Sequence, residues 1–187
     1  IWNTARFIRM NLKTDGVLPI NPADFALEDK WILSKYNTLV SEVTENLEKY
    51  ELGMAVQKLY DFIWDVFCDW YIEICKSRLN GEDEKAADTA RSVLVYVFNG
   101  TLALLHPFMP FITEEIWQSL PHKGEALMVS RWPVFDEKLK FADEEDAFER
   151  IMAVIKAVRN RRAEMNVPPS KKAKVCIATK FKDTFSK

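Results

Sequence analysis

The spacing of apolar positions along the chain predicts a mainly α-helical protein. Apolar residues recur every three or four positions over six stretches, which is the period of a helix that buries one face. We expect helices over residues 1–13, 24–49, 52–79, 84–106, 110–120 and 143–165. The third stretch has the broadest apolar face, and a face of that width indicates a helix packed against two neighbours inside a bundle.

A proline-rich corner separates the fourth predicted helix from the fifth. The run from His106 to Trp117 reads His-Pro-Phe-Met-Pro-Phe-Ile-Thr-Glu-Glu-Ile-Trp. Because a residue before a proline is disfavoured in the α region, Pro107 should end the preceding helix near His106. Pro110 suits the first turn of the next helix, where its missing N–H is no loss. We expect the imidazole of His106 to cap carbonyl groups at this corner.

The C-terminal part of the chain has a different pattern. A short extended piece is expected at Leu127–Val129, and Pro168 should end the sixth helix. Alternation of apolar and polar residues over Ala173–Thr179 predicts a strand. We therefore divide the chain into a helical bundle, residues 1–120, and a second region, residues 121–187. The second region holds a connecting segment, a basic helix and a small α/β appendage that begins a C-terminal subdomain.

The formal net charge of −2 hides an uneven distribution. Residues 150–187 hold 11 Lys/Arg and two acidic residues, a net charge of +9, whereas residues 1–149 carry −11. The first 13 residues are also basic, with three Lys/Arg and no acid. This asymmetry is compatible with binding of a polyanion by selected surfaces. A solvated helix face explains any single cluster equally well.

The sequence lacks patterns typical of catalytic and metal sites. Five glycines are few for a glycine-rich phosphate-binding loop. Glu114 and Glu115 point about 100° apart on a helix, which argues against a pair of carboxylates that act on one substrate. Three cysteines without CxxC spacing indicate neither a zinc site nor a disulfide framework, and we interpret them as reduced thiols of a cytoplasmic protein. No apolar run approaches the roughly 18 residues that cross a bilayer. We expect no catalytic residue, no bound metal and no cofactor in this chain.

The first predicted helix carries the best candidates for RNA binding. It has three faces: an apolar one with Ile1, Ala5, Ile8 and Leu12, a basic one with Arg6, Arg9 and Lys13, and an intermediate one with Asn3, Phe7 and Met10. An amide and an aromatic ring one turn apart, flanked by arginines, suit recognition of single-stranded RNA bases. On physical grounds alone, a packing role for Phe7 is the more common one. The helical spacing of apolar residues begins at Ile1 without a capping residue before it, which predicts an excised piece of a larger protein.

Several segments together resemble the valyl-tRNA synthetase family of class I aminoacyl-tRNA synthetases. They are Ile1-Trp2-Asn3-Thr4-Ala5-Arg6-Phe7, the runs Tyr60–Trp64 and Phe67–Glu73, the corner His106–Trp117, and Arg162–Pro169. The order Phe-Cys-Asp-Trp-Tyr from Phe67 is the most specific of them, since the isoleucine and leucine enzymes have related corners without this run. The resemblance covers nearly the whole chain.

The resemblance implies the anticodon-binding helical bundle of a class I synthetase, which docks the anticodon stem-loop of tRNA(Val). The full-length members of the family are valine–tRNA ligases that use ATP and Mg. Its ATP-site signatures of HIGH and KMSKS type, its editing domain and its C-terminal coiled-coil arm are missing from this sequence. The resemblance therefore implies that catalysis and editing belong to other domains of the same parent chain.

The resemblance also implies roles for individual residues. In the family the bundle reads the middle and third anticodon bases, adenine and cytosine. Phe7 would stack on a base, Asn3 would hydrogen-bond a base edge, and Ile72 would close the apolar side of the pocket. Arg6 and Arg9 are assigned to RNA phosphates. Three arginines near the end of the last helix are candidates for the same role, although the helix dipole also explains them: Arg159, Arg161 and Arg162.

Two alternatives remain open at this point. One is the corresponding domain of an isoleucyl- or leucyl-tRNA synthetase, which selectivity for the valine anticodon would reject. The other is a helical interaction module whose acidic surface docks a protein partner. Tight, salt-insensitive binding of a protein without affinity for RNA would favour that second alternative.

Overall fold

A computed structural model describes residues 1–13, 16, 19–168 and 170–181. Those residues form seven α-helices: α1 Trp2–Asn11, α2 Leu27–Glu48, α3 Leu52–Asp61, α4 Glu73–Leu79, α5 Glu84–Leu105, α6 Pro110–Gln118 and α7 Ala142–Glu164. A π-helical segment, Phe62–Ile72, joins α3 directly to α4. Residues 52–79 are therefore one continuous helical rod, as the broad apolar stretch predicts. The tail, residues 182–187, lies outside the described residues.

The chain divides into two compact units, Ile1–Phe141 and Ala142–Lys187. This division falls at a later residue than the boundary between the two regions predicted from the sequence. Residues 121–141 are tied to α2 by side-chain hydrogen bonds: Trp132 Nε1 donates to Thr44 Oγ1 at 2.9 Å, and Asn37 Nδ2 donates to the carbonyl of Asp136 at 2.8 Å. The connecting segment is therefore part of the first unit.

The core of the first unit lies between α2, the rod and α5, which run antiparallel and are joined by short turns. The rings of Phe67 on the rod and Phe98 on α5 are stacked, with centroids 5.8 Å apart and planes only 2° from parallel. Trp31 on α2 is also fully buried. Helices α1 and α6 pack on α5. The mainly helical bundle expected from the hydrophobic periodicity is confirmed.

The proline corner forms as predicted, with one correction. Helix α5 ends at Leu105, and Pro110 is the first residue of α6. The prediction that His106 caps carbonyls is wrong, because its Nδ1 is hydrogen-bonded to the hydroxyl of Thr113 at 2.8 Å. Thr113 itself donates to the carbonyl of Met109 at 2.8 Å, so the hydroxyl rather than the imidazole caps the corner.

The α/β appendage is not formed in the described residues. Leu127–Val129 is a 3₁₀ turn and not an extended piece. Residues 173–179 have no regular secondary structure, and Val175 and Ile177 are about half exposed. A strand needs a neighbour for its N–H and C=O groups, and no second extended segment pairs with this one within the described ranges. Local alternation alone therefore did not suffice to make a strand.

None of the helices in the described part of the chain is long and apolar enough to cross a membrane.

Candidate nucleic-acid interface

Helix α1 is fixed to the first unit by its apolar face. Ala5 and Ile8 are buried, whereas Asn3, Arg6 and Arg9 are exposed. Arg91 of α5 strengthens the attachment, since its Nε donates to the carbonyl of Asn11 at 2.8 Å. The three faces expected from the sequence are thus arranged with the apolar face inside and the polar faces toward solvent.

Thr4 attaches α1 to the π-helical segment of the rod. Its Oγ1 is hydrogen-bonded to Sγ of Cys68 at 3.3 Å, and the Thr4 side chain is nearly buried. Burial raises the pKa of the Cys68 thiol, and the hydrogen bond with Thr4 acts in the opposite direction. The thiol therefore stays protonated at neutral pH and serves as a packing group that sets the position of α1 along the rod.

Phe7 lies one turn further along α1, beside the last turns of the rod. Its ring is half-buried, and Nζ of Lys76 lies 5.9 Å from the ring centroid. Asn3 precedes Phe7 by four residues, so both side chains project from the same face of α1. The structure therefore brings an exposed amide, an aromatic ring and an ammonium group to one surface. Lys76 is not among the residues predicted from the sequence.

Ile72 lies on the rod between Cys68 and Lys76, which contact Thr4 and Phe7 of α1. Only 7% of Ile72 is exposed, so it offers the edge of a side chain rather than an open apolar surface. The spacing of Cys68, Ile72 and Lys76, four residues apart, is the signal that could have placed Lys76 on the face toward α1.

Arg6 and Arg9 lie on the neighbouring face of α1, toward α6. Both line a cavity of about 210 Å³ together with Trp2, Glu115 and Ser119. The two guanidinium groups therefore flank the Asn3 and Phe7 face without belonging to it. This arrangement can hold an RNA backbone along one side of α1 while a base contacts the other.

The three arginines of α7 belong to the second unit. Nη1 of Arg161 pairs with Glu164 at 3.0 Å. Nη2 of Arg162 donates to the carbonyls of Pro168 and Lys171 at 2.7 and 2.8 Å, which satisfies acceptors just after the end of the helix. These contacts give both residues a local structural role.

The amino-acid sequence of the chain matches those of known proteins. Residues 29–177 match the family described as the anticodon-binding domain of tRNA ligase. Curated proteins named valine–tRNA ligase are 53% identical in Clostridium acetobutylicum, 48% in Bacillus cereus and 49% in Listeria monocytogenes. The first two matches cover 96% of this chain and 20% of the relative, and the third covers 100% and 21%.

The chain thus spans about a fifth of the length of the curated relatives it matches. Among solved structures, a ternary complex of Agrobacterium radiobacter LeuRS with tRNA and LeuAMS is similar over 75% of this chain and 15% of that chain, with 22% identity and a TM-score of 0.49. The family match begins after α1, whereas the matches to the valine–tRNA ligases extend over nearly all of the sequence. The chain belongs to the family of anticodon-binding domains of tRNA ligases.

Proposed function

We propose that this chain is the anticodon-binding domain of a cytoplasmic valine–tRNA ligase and that it docks the anticodon stem-loop of tRNA(Val). The observation that carries the proposal is the identity of 48–53% to valine–tRNA ligases over at least 96% of the chain. The catalytic domain of the same parent enzyme would then join valine to the docked tRNA with ATP and Mg, and an editing domain of that enzyme would hydrolyse misacylated tRNA. The chain itself would supply no catalytic residue and bind no cofactor of its own.

The surface formed by Asn3 and Phe7 is the proposed base-reading site. A half-exposed aromatic ring can stack on an unpaired base, and such stacking contributes roughly 1–3 kcal/mol per base. The amide of Asn3 has both a donor and an acceptor with which to read a base edge. Ile72 would form the apolar floor between them. Stacking on Phe7 would hold the base where Asn3 can read its edge, so the base preference of the site would depend on both side chains.

Arg6 and Arg9 are the proposed phosphate contacts. Both are exposed, and both lie on the face of α1 that adjoins the base-reading side chains. Contacts to phosphate position a protein on RNA and add affinity that carries no sequence information. Arg159, Arg161 and Arg162 remain candidates for the same role on the second unit.

Binding of short RNA stem-loops tests this function. The affinity of the 187-residue chain would be measured for a stem-loop with the valine anticodon and for one with its middle base changed, each at two salt concentrations. We expect tighter binding of the valine loop and weaker binding at high salt. Phe7→Ala should remove most of the preference. Phe111→Ala is the matched control, because Phe111 is a 90% exposed phenylalanine on α6.

Equal binding of both stem-loops would contradict base reading by this domain. A preference for an isoleucine or leucine anticodon would assign the chain to the corresponding enzyme instead. Loss of the preference in both phenylalanine variants would show that Phe7 has no particular role in it.

A further inference from the structure

Another side chain covers part of the Phe7 ring. Nζ of Lys76, from the last turn of the rod, lies 5.9 Å from the ring centroid, within the range of a cation–π contact. Lys76 is itself 45% exposed, so a ligand can approach the face of the ring over which its ammonium group lies. A base stacked on that face would occupy the same volume as the ammonium group.

Glu73 holds the ammonium group in the same place. It precedes Lys76 by three residues on α4, and its Oε1 forms an ion pair with Nζ. Both members of the pair are about half exposed, and pairs of this kind contribute little to folding. The ammonium group can therefore leave Glu73 and the ring at small cost. The long side chain of lysine gives it the reach to do so.

The backbone beneath the two side chains is fixed by other contacts. The hydrogen bond from Thr4 to Cys68 sets α1 against the rod, and Arg91 holds the end of α1 at Asn11. Phe7 and Lys76 thus stay close to each other whether or not a ligand is present. When a base arrives, the movement is confined to the Lys76 side chain.

We propose that Lys76 is a further RNA-binding residue, which covers the Phe7 ring in the free protein and binds a phosphate of the nucleotide that stacks there. This inference rests on the proposed function. The proposal adds one group, the ammonium of Lys76, to the proposed RNA-binding surface. A lysine ammonium group commonly binds phosphate, and it does so as a point charge. Glu73 opposes RNA binding in this arrangement, because its carboxylate competes for Lys76 and repels phosphate.

The salt dependence of stem-loop binding separates this role from a structural one. The logarithm of the association constant falls linearly with the logarithm of salt concentration, with a slope of about 0.7 per phosphate contact on a single strand. For the valine stem-loop we expect Lys76→Gln to bind about fivefold more weakly at low salt and to lose about 0.7 of that slope. Lys76→Arg should retain both. Phe7→Ala should weaken binding without changing the slope.

Glu73→Gln gives the opposite expectation, namely binding about twofold tighter at low salt. The matched controls are Lys49→Gln and Glu45→Gln. They remove an ion pair of the same kind, with 57% and 60% of the side chains exposed, at the C-terminal end of α2. Neither control should change affinity or slope. Far-UV circular dichroism of each variant verifies that the helices are retained.

Two outcomes would overturn the proposal while leaving the proposed function intact. One is a Lys76→Gln variant that keeps the slope of the wild-type chain, and the other is a variant that binds the valine stem-loop more tightly. The latter would make Lys76 a competitor of the base and not a ligand of the phosphate. If the wild-type chain shows no preference for the valine stem-loop, the proposed function fails, and the role of Lys76 fails with it.

Discussion

Nη1 of Arg78 lies 2.8 Å from both carboxylate oxygens of Asp29, inside the first unit. Asp29 is fully buried, and it also accepts hydrogen bonds from the hydroxyl of Tyr71 at 2.6 Å and from the backbone N–H of Ala26 at 3.0 Å. Nη2 of Arg78 donates to the carbonyl of Ala86 in α5 at 2.9 Å. One buried ion pair therefore joins the start of α2, the end of the rod and the start of α5.

Removal of the arginine from this pair should be strongly destabilising. Arg78→Met leaves the carboxylate of Asp29 buried without its cation, and broken buried pairs cost about 3–5 kcal/mol. We expect the free energy of unfolding in urea, followed by tryptophan fluorescence, to fall by that amount. The exposed pair of Lys49 provides the control, since Lys49→Met should change stability by less than about 0.5 kcal/mol. A loss below about 1 kcal/mol for Arg78→Met would show that water replaces the guanidinium.

Two glycines in helices should respond in opposite directions to the same substitution. A Cβ atom at Gly100 in α5 would lie 1.8 Å from the hydroxyl oxygen of Tyr36, which is buried and packed against Tyr96 and Phe62. We expect Gly100→Ala to cost about 1–3 kcal/mol through overpacking. At Gly53 in α3 the same Cβ position has no atom within 4 Å apart from the neighbouring residues and backbone of its own helix.

Gly53→Ala should therefore stabilise the protein by about 0.5–1 kcal/mol, the usual gain in a helix. Thermal unfolding of both variants measures the contrast. A stable Gly100→Ala protein would mean that the Tyr36 ring can rotate out of its place between α2 and α5.

The sequence predicts the helices well because their signals are local. The apolar periodicity indicates where each helix lies. Pro110 marks the residue at which α6 begins. Asp29 was not recognised as buried, although it shares the helical spacing of Ile32 and Tyr36, because a charge on an apolar face has no visible partner until Arg78 is placed beside it. Lys76 was missed although its spacing from Cys68 and Ile72 places it on the same face of the rod, because the sequence does not show that this face meets Phe7. Such pairs link residues about 50 or 70 positions apart, and composition and periodicity contain no information about which of them meet.

The basic face of α1 gives a prediction that differs from the one for Phe7. Arg6→Gln and Arg9→Gln should each weaken binding of the valine stem-loop and of the changed stem-loop by the same factor, because phosphate contacts carry no sequence information. Each substitution should lower the salt slope by about 0.7. Fluorescence anisotropy at several salt concentrations measures both quantities, with Lys49→Gln as the control. If either substitution changed the ratio between the two stem-loops, that arginine would be reading a base.

The stability of the protein should fall at alkaline pH because the thiol of Cys75 is buried. Burial raises the pKa of this thiol to about 12, from an ordinary value of 9.0, and a hydrogen bond with Tyr71 offsets only part of the effect. The folded state therefore holds the proton more tightly than the unfolded chain. Below pH 9 the thiol is protonated in both states, so the difference in its pKa has no effect on stability. Above pH 9 the unfolded chain releases its proton and the folded state does not, so stability falls as pH rises toward 12.

Between pH 8 and pH 10 this difference should contribute about 1.4 kcal/mol to the fall in the free energy of unfolding in urea, beside the contribution of the Cys68 thiol. That interval lies below the range in which the buried hydroxyls of Tyr36 and Tyr71, whose pKa values burial also raises, contribute fully. Cys75→Ala should lose about that much of the pH dependence, although it starts from a lower stability because of the small cavity. Cys176→Ala removes an exposed thiol and should follow the wild-type curve. If Cys75→Ala also followed that curve, the thiolate of Cys75 would have to be solvated inside the fold, and the packing of α4 against α5 would be looser than the structure shows.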